Sequence, residues 1–269
     1  MVITDTSKTD AASAYYNDKV VTNFYRRVWG GSDIHIGLYE TGNETVADAS
    51  AAMTRHLIGR AGLRGDERVL DIACGFGGTI RMLAEMGCQV TGIDISQACV
   101  KAARKANTVA GLDVKIAVEI GDFHEINSDA AAWDAVICQE SLIHSPDRKT
   151  VFAEVYRVLR PGGVFAFSDI LTCDGADIDM VEAAFARLRA DAGATVKDYE
   201  AMALQAGFEV QFVEERRQDI TMHYNKLAEA LDRSNDPDFI NIKSSIARWQ
   251  DALAGGHVTW ACFVARKPG

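Results

Sequence analysis

Two rhythms of apolar positions divide the chain. Through its middle, short continuous apolar runs alternate with stretches in which apolar residues return every three or four positions, as when buried strands alternate with amphipathic helices. Val69-Leu70-Asp71-Ile72 is the first run, and Ile80, Leu83 and Met86 then keep helical spacing until Gly87 stops them. Val90-Thr91-Gly92-Ile93-Asp94 is the second run; after it Ser96 caps a helix carrying Val100, Ala103, Ala106 and Val109, which Gly111 ends. A third strand is expected near 114–120, a fourth, buried and central, over 133–139, and a fifth reaching Ser168-Asp169 after the turn at Arg160-Pro161-Gly162-Gly163. Ser145-Pro146 reads as a helix start, with Val151, Val155, Val158 and Leu159 as its inner face. Helical patterns return over about 177–190 and 195–206, the second with Thr195 and Asp198 spaced as a capping box, before a sixth strand over 208–216 and a last over 257–266.

The flanks keep a different rhythm. Residues 1 to about 12 are expected to be mobile. Val20, Val21, Phe24, Tyr25 and Val28 then form the stripe of a helix that starts near Asn17-Asp18 and stops at Gly30-Gly31, and a second helix over about 44–60 turns Val46, Ala49, Met53 and Leu57 inward. Roughly 40 residues separate the sixth strand from the last, with His223-Tyr224 at a helix start and a further helix built on Ile242, Ile246 and Trp249. The expected fold is α/β, a doubly wound, Rossmann-like seven-stranded sheet whose last strand is antiparallel, with an N-terminal helical cap and a helical insertion before that strand. The expected divisions are a cap or lid over 1–60, a nucleotide-binding core over 61–216, an insertion over 217–256 and a final core strand over 257–269.

Composition narrows the class. Among 269 residues, 48% are hydrophobic and 25% charged, an ordinary globular balance, and no apolar run approaches the roughly 18 residues of a membrane span. A net charge of -10 argues against nucleic acid or an anionic membrane as partner, since both attract basic patches. The six cysteines form no C-x-x-C pair, so no metal site is expected; they read as reduced core residues of a cytoplasmic protein. Monomer and homodimer are both left open.

The candidate chemistry starts where the first strand ends. Asp71, Ala73, Gly75 and Gly77 follow the pattern acid-x-small-x-Gly-x-Gly, whereas the dinucleotide fingerprint G-x-G-x-x-G fails at Ile80. The stretch resembles the S-adenosyl-L-methionine (SAM) motif of class I methyltransferases, with Ala73 where the first glycine is usual; NAD or a purely structural glycine turn are the other readings. Asp94, ending the second strand, is placed to take two ribose hydroxyls, and Asp122 follows the third strand in Gly121-Asp122-Phe123. One acid at each of three successive strand ends points to one nucleoside-like ligand lying across them. The resemblance implies SAM as cofactor and S-adenosyl-L-homocysteine as product, puts Asp122 on the adenine amino group, and adds Tyr16, Ile36, Ile95, Gln97, Phe123 and Gln139 to the cofactor-binding set.

A second resemblance extends over nearly the whole chain. Tyr-Tyr-Asn-Asp at 15–18, Phe-Tyr at 24–25, Val-Trp-Gly-Gly-Ser-Asp-Ile-His-Ile-Gly-Leu-Tyr at 28–39, Gln-Glu-Ser-Leu-Ile-His-Ser-Pro-Asp at 139–147, His-Tyr at 223–224 and Val-Thr-Trp at 258–260 are similar to the sarcosine/dimethylglycine N-methyltransferases of glycine betaine synthesis. It implies methyl transfer to the nitrogen of a small amine or amino acid. For substrate and catalysis the candidates are Tyr25, Trp29, His35, Tyr39, Glu140, His144, His223, Tyr224 and Trp260, with Trp29, His35 and Tyr39 facing the site from a glycine-punctuated loop. Core packing is the alternative for each aromatic, and His56, His124 and His257 read as peripheral. Three rival functions remain: a C- or O-methyltransferase of the same fold acting on a prenyl diphosphate or other secondary metabolite, with Glu140 as its acid; an NAD-dependent oxidoreductase; and a SAM-binding module without catalysis.

Overall fold

The computed structural model describes residues 6–190, 193–234 and 236–269. Three helices come first: α1 (Thr6–Asn17), α2 (Lys19–Arg27) and α3 (Val46–Ala61). Strands and helices then alternate through β1 (Arg68–Asp71), α4 (Gly78–Met86), β2 (Gln89–Asp94), α5 (Gln97–Ala110), β3 (Ile116–Ile120), β4 (Trp133–Gln139), α6 (Arg148–Val158) and β5 (Leu159–Thr172). The chain closes with α7 (Ile178–Phe185), α8 (Val196–Ala206), β6 (Glu209–Glu215), α9 (Arg217–Arg233), α10 (Ile240–Ala254) and β7 (Val258–Arg266).

The strands form one sheet in the order β3-β2-β1-β4-β5-β7-β6. β1 to β5 are parallel, and β7 runs antiparallel to both β5 and β6. Both faces are covered, which is why the central strands read as unbroken apolar runs. Val69, Ala135, Ile137, Val164 and Ala166 face the side that also packs the leader and the insertion. Their neighbours Leu70, Val136, Cys138, Phe165 and Phe167 face α6 and α8, against Phe152 and Tyr199. Strand order reverses at β1, with β2 and β4 on either side of it, and that reversal opens a crevice at the carboxyl ends of the strands. Among the described residues no helix is long and apolar enough to cross a membrane.

Three local expectations are corrected. From Thr6 onward the leader forms a helix ahead of the one expected near Asn17-Asp18, and residues 1–5 of the stretch expected to be mobile lie outside the described residues. The end of α1 is tied down because the Asn17 side-chain oxygen accepts from Ser96 Oγ and Ala98 N–H, each at 3.0 Å, at the start of α5. α6 begins after Pro146: its cap is Asp147, whose carboxylate accepts from Thr150 N–H. His223-Tyr224 lies inside α9, which starts directly after β6 as Arg216 clasps Asp219 at 2.8 Å.

Candidate active site

The β1 exit is a glycine turn folded against the end of β2. Ala73 N–H donates to Asp71 Oδ1 at 3.2 Å, while Gly75 N–H and Ser96 N–H donate to the two oxygens of Asp94, each at 2.8 Å. Gly77 caps α4 at φ +82°, a left-handed conformation in which a side chain would be strained and its Cβ would lie 3.1 Å from Ala103 Cβ. Asp71, Asp94 and Asp122 all line a single cavity. Burial pushes the Asp71 carboxyl up to about 7 and that of Asp94 to about 6. Asp122 goes the other way: burial works to raise it, but hydrogen bonds from His124, whose Nδ1 is 2.7 Å away, hold it low.

The opposite wall comes from the loop between α2 and α3 and from the β4 exit. His35 donates from Nδ1 to Ile36 O at 3.0 Å, and its Nε2 lies 3.0 Å from Thr54 Oγ1 and 3.5 Å from Asp33 Oδ1. Burial alone would lower its pKa, but Asp33 and the charge of Glu140 raise it to about 9, making it an imidazolium at neutral pH. Glu140, at φ +46°, accepts from Ile36 N–H at 2.7 Å, Ser168 Oγ at 2.6 Å and Trp260 Nε1 at 2.7 Å. His144 shares a 3.1 Å hydrogen bond through Nε2 with the Tyr16 hydroxyl; burial, then Arg148, lowers it to about 4, so it is neutral. Gln139 accepts from Thr79 Oγ1 at 2.9 Å.

Residues 70–167 match the family model described as a methyltransferase domain. The chain is 32% identical to the sarcosine/dimethylglycine N-methyltransferase of Halorhodospira halochloris, with 98% of each chain covered. It is 31% identical to the dimethylglycine N-methyltransferase of Parasynechococcus marenigrum, over 96% of each. The chain belongs to the sarcosine/dimethylglycine N-methyltransferase family. A Galdieria sulphuraria crystal structure, taken to be of a sarcosine dimethylglycine methyltransferase, superposes on this methyltransferase with a TM-score of 0.86 at 29% identity, covering 93% of this chain and 99% of that one.

The enzyme's cofactor is SAM, and the residues present fit it. Among the described residues Gln139 Nε2 and His144 Nδ1 are buried without a hydrogen-bond partner, and both residues line the same cavity as the three acids. A polar ligand there satisfies groups that are otherwise costly to bury.

Of the expected cofactor set, Tyr16, Asp71, Ala73, Gly75, Asp94, Ile95, Asp122, Phe123 and Gln139 line the cavity. Gly77, Ile36 and Gln97 do not: Gly77 turns the chain behind the wall, Ile36 is buried with its N–H on Glu140, and Gln97 is exposed at the start of α5. Of the expected substrate and catalytic set, His35, Glu140 and His144 line it. The other six stand behind, each with a different occupation. Trp29 Nε1 donates to His35 O at 3.0 Å, so the indole braces His35 and does not face the cavity. The Tyr39 hydroxyl and Gly37 N–H both donate to His223 Nδ1, at 3.0 and 3.1 Å, which leaves the proton on Nε2, and burial with the charge of His35 lowers His223 to about 3. Trp260 serves Glu140, Tyr224 stacks on Trp249 with centroids 5.0 Å apart, and the Tyr25 hydroxyl meets that of Tyr15 at 3.2 Å.

Asp33, Thr79 and His124 line the cavity without having been singled out, and His124 is not peripheral. Its position two residues after Asp122, inside a turn where Asp122 Oδ1 also accepts from His124 N–H, was the available signal.

Proposed function

We propose that the acceptor is sarcosine or dimethylglycine, and that the cavity holds the cofactor with Asp94 on the ribose hydroxyls, Asp122 on the adenine amino group, and Gln139 and His144 offering their unpartnered nitrogens. The observation that carries this is the convergence of three strand-end carboxylates and two orphaned side-chain nitrogens on one cavity. When bound, SAM supplies a methyl carbon on a sulfonium, and transfer leaves S-adenosyl-L-homocysteine because the electrons of the broken carbon–sulfur bond stay on sulfur.

The protein's task is alignment and exclusion of water. An amine must also arrive as the free base; with a pKa near the lysine reference of about 10.4, that costs roughly 4 to 5 kcal/mol at neutral pH. Burial in the cavity beside the ring of Tyr16 lowers the cost by disfavouring the ammonium, and the fixed positive charge of His35 acts in the same direction. His144, held near 4, is a weak base and acts as a neutral hydrogen-bonding group. Glu140 has both oxygens committed to three donors, which argues against a free carboxylate base of the kind a prenyl-directed enzyme needs. Six free cysteines, five of them buried, suit a reducing, cytoplasmic setting.

Mass spectrometry of glycine, sarcosine and dimethylglycine incubated with SAM is expected to show added methyl groups on sarcosine or dimethylglycine. Silence across this panel alongside methylation of geranyl diphosphate would reject the reading.

A further inference from the structure

Beyond α7 the chain makes one 3₁₀ turn, Ala186–Leu188, and carries Arg187 under the cap. Its Nε donates to Ser245 Oγ at 3.0 Å, its Nη1 donates to the Tyr15 hydroxyl, and its Nη2 is buried with no hydrogen-bond partner among the described residues. The guanidinium carbon lies 5.5 Å from the centre of the Tyr15 ring and 5.7 Å from that of Phe24. Among the described residues no carboxylate pairs with it; the charge neighbours it feels are the phenols of Tyr15, Tyr25, Tyr224 and Tyr16.

The inventory of this pocket is lopsided. Arg187 brings five N–H donors and no acceptor. The Tyr15 and Tyr25 hydroxyls, 3.2 Å apart, can give one hydrogen bond to each other, so one phenolic proton is left over whichever donates. Among the described residues, Ser245 Oγ and the phenol oxygens are the acceptors these donors have. A buried guanidinium among surplus donors is expensive unless an anion completes it. Its fork suits the two oxygens of a carboxylate.

This cluster adjoins the cofactor cavity. Tyr16, which lines the cavity, stacks on Tyr25 at 5.9 Å and meets Tyr15 edge-on at 4.9 Å, so the phenols around Arg187 are in contact with a ring of the cavity wall. We propose that Arg187, assisted by the hydroxyls of Tyr15 and Tyr25, holds the carboxylate of the methyl acceptor. The inference rests on the small-amino-acid reading above and deepens it: the enzyme selects a zwitterion, binding its carboxylate at Arg187 while its nitrogen is turned toward Tyr16 and the cofactor. Amines without an anionic group lack that anchor.

The test compares wild type, Arg187→Lys and Arg187→Met. In Arg187→Met the KM for dimethylglycine is expected to rise about 100-fold, and in Arg187→Lys about 10-fold, with kcat kept within about threefold. Affinity for S-adenosylhomocysteine, read by calorimetry, stays unchanged and reports that the variants are folded. Titration of dimethylglycine into the S-adenosylhomocysteine complex gives the same ranking without turnover. An unchanged KM and an unchanged titration in Arg187→Met would overturn the assignment. So would parallel losses of kcat and S-adenosylhomocysteine affinity, which mark a merely structural role. A wild type that neither methylates nor binds amino acids, but takes phosphoethanolamine with an Arg187-dependent KM, would instead reject the amino-acid reading and make the subsite one for phosphate.

Discussion

His35 is a cation buried between two acids, and its charge state sets a testable pH dependence. Its pKa is raised from 6.5 to about 9 because Asp33 and Glu140 outweigh the burial penalty. A group whose pKa rises on folding contributes stability that is complete below its unfolded pKa and is lost as pH climbs through the folded one. His35 alone should therefore take on the order of 2 to 3 kcal/mol of stability from the cofactor-free enzyme between pH 7 and pH 10, read by urea unfolding as a shallower slope in His35→Gln than in wild type. The thiols of Cys74, Cys99, Cys138 and Cys262, which burial pushes up, add a fall common to both proteins. Equal slopes in the two proteins would refute the assignment of the charge. His223 and His144 do not contribute there, since burial keeps both neutral well below pH 6.

The element that converts these residues into a site is the loop joining α2 to α3. Its backbone is gripped at successive residues: Ile36 N–H by Glu140, Gly37 N–H by His223, Leu38 N–H by Ala49 O, and Tyr39 N–H by Asp219. Such close seating against α3 excludes a side chain at Gly37, where a Cβ would sit 2.4 Å from Ala49 Cβ and 2.8 Å from the Ala49 carbonyl carbon. Gly37→Ala should thus displace the loop. The expected signature is a stability loss of about 2 kcal/mol or more, with a fall in kcat/KM larger than the fall in S-adenosylhomocysteine affinity, because the cofactor acids belong to other elements. A variant with wild-type unfolding and kinetics would show that the loop is not seated this way. The loop's distinctive sequence could be recognised as important, but not which of its residues face inward: the partners of Gly37 and Tyr39 lie 186 and 180 positions away, and local pattern carries no trace of pairings that distant.

Over the whole molecule, legibility follows the range of the interactions involved. The strands from β1 to β5 and their intervening helices were readable because period, caps and glycine stops are local, as with Ser96 and Gly111 around α5 or the Thr195–Asp198 capping box of α8. The three acids were readable because strand ends converge in any parallel sheet. α1 was not, since its helix is amphipathic only weakly and is fixed by Asn17 reaching α5; nor was Arg187, whose significance is the absence of a nearby carboxylate, a property of packing alone. Everything proposed depends on the shared cavity being the cofactor site. The most direct measurement is calorimetric titration of S-adenosylhomocysteine and of NADH into wild type and Asp94→Ala, with melting temperatures confirming that both are folded. The account predicts S-adenosylhomocysteine binding to wild type, no NADH heat, and an affinity about 100-fold weaker in Asp94→Ala. Unchanged affinity in a folded Asp94→Ala, or NADH binding in place of S-adenosylhomocysteine, would contradict it.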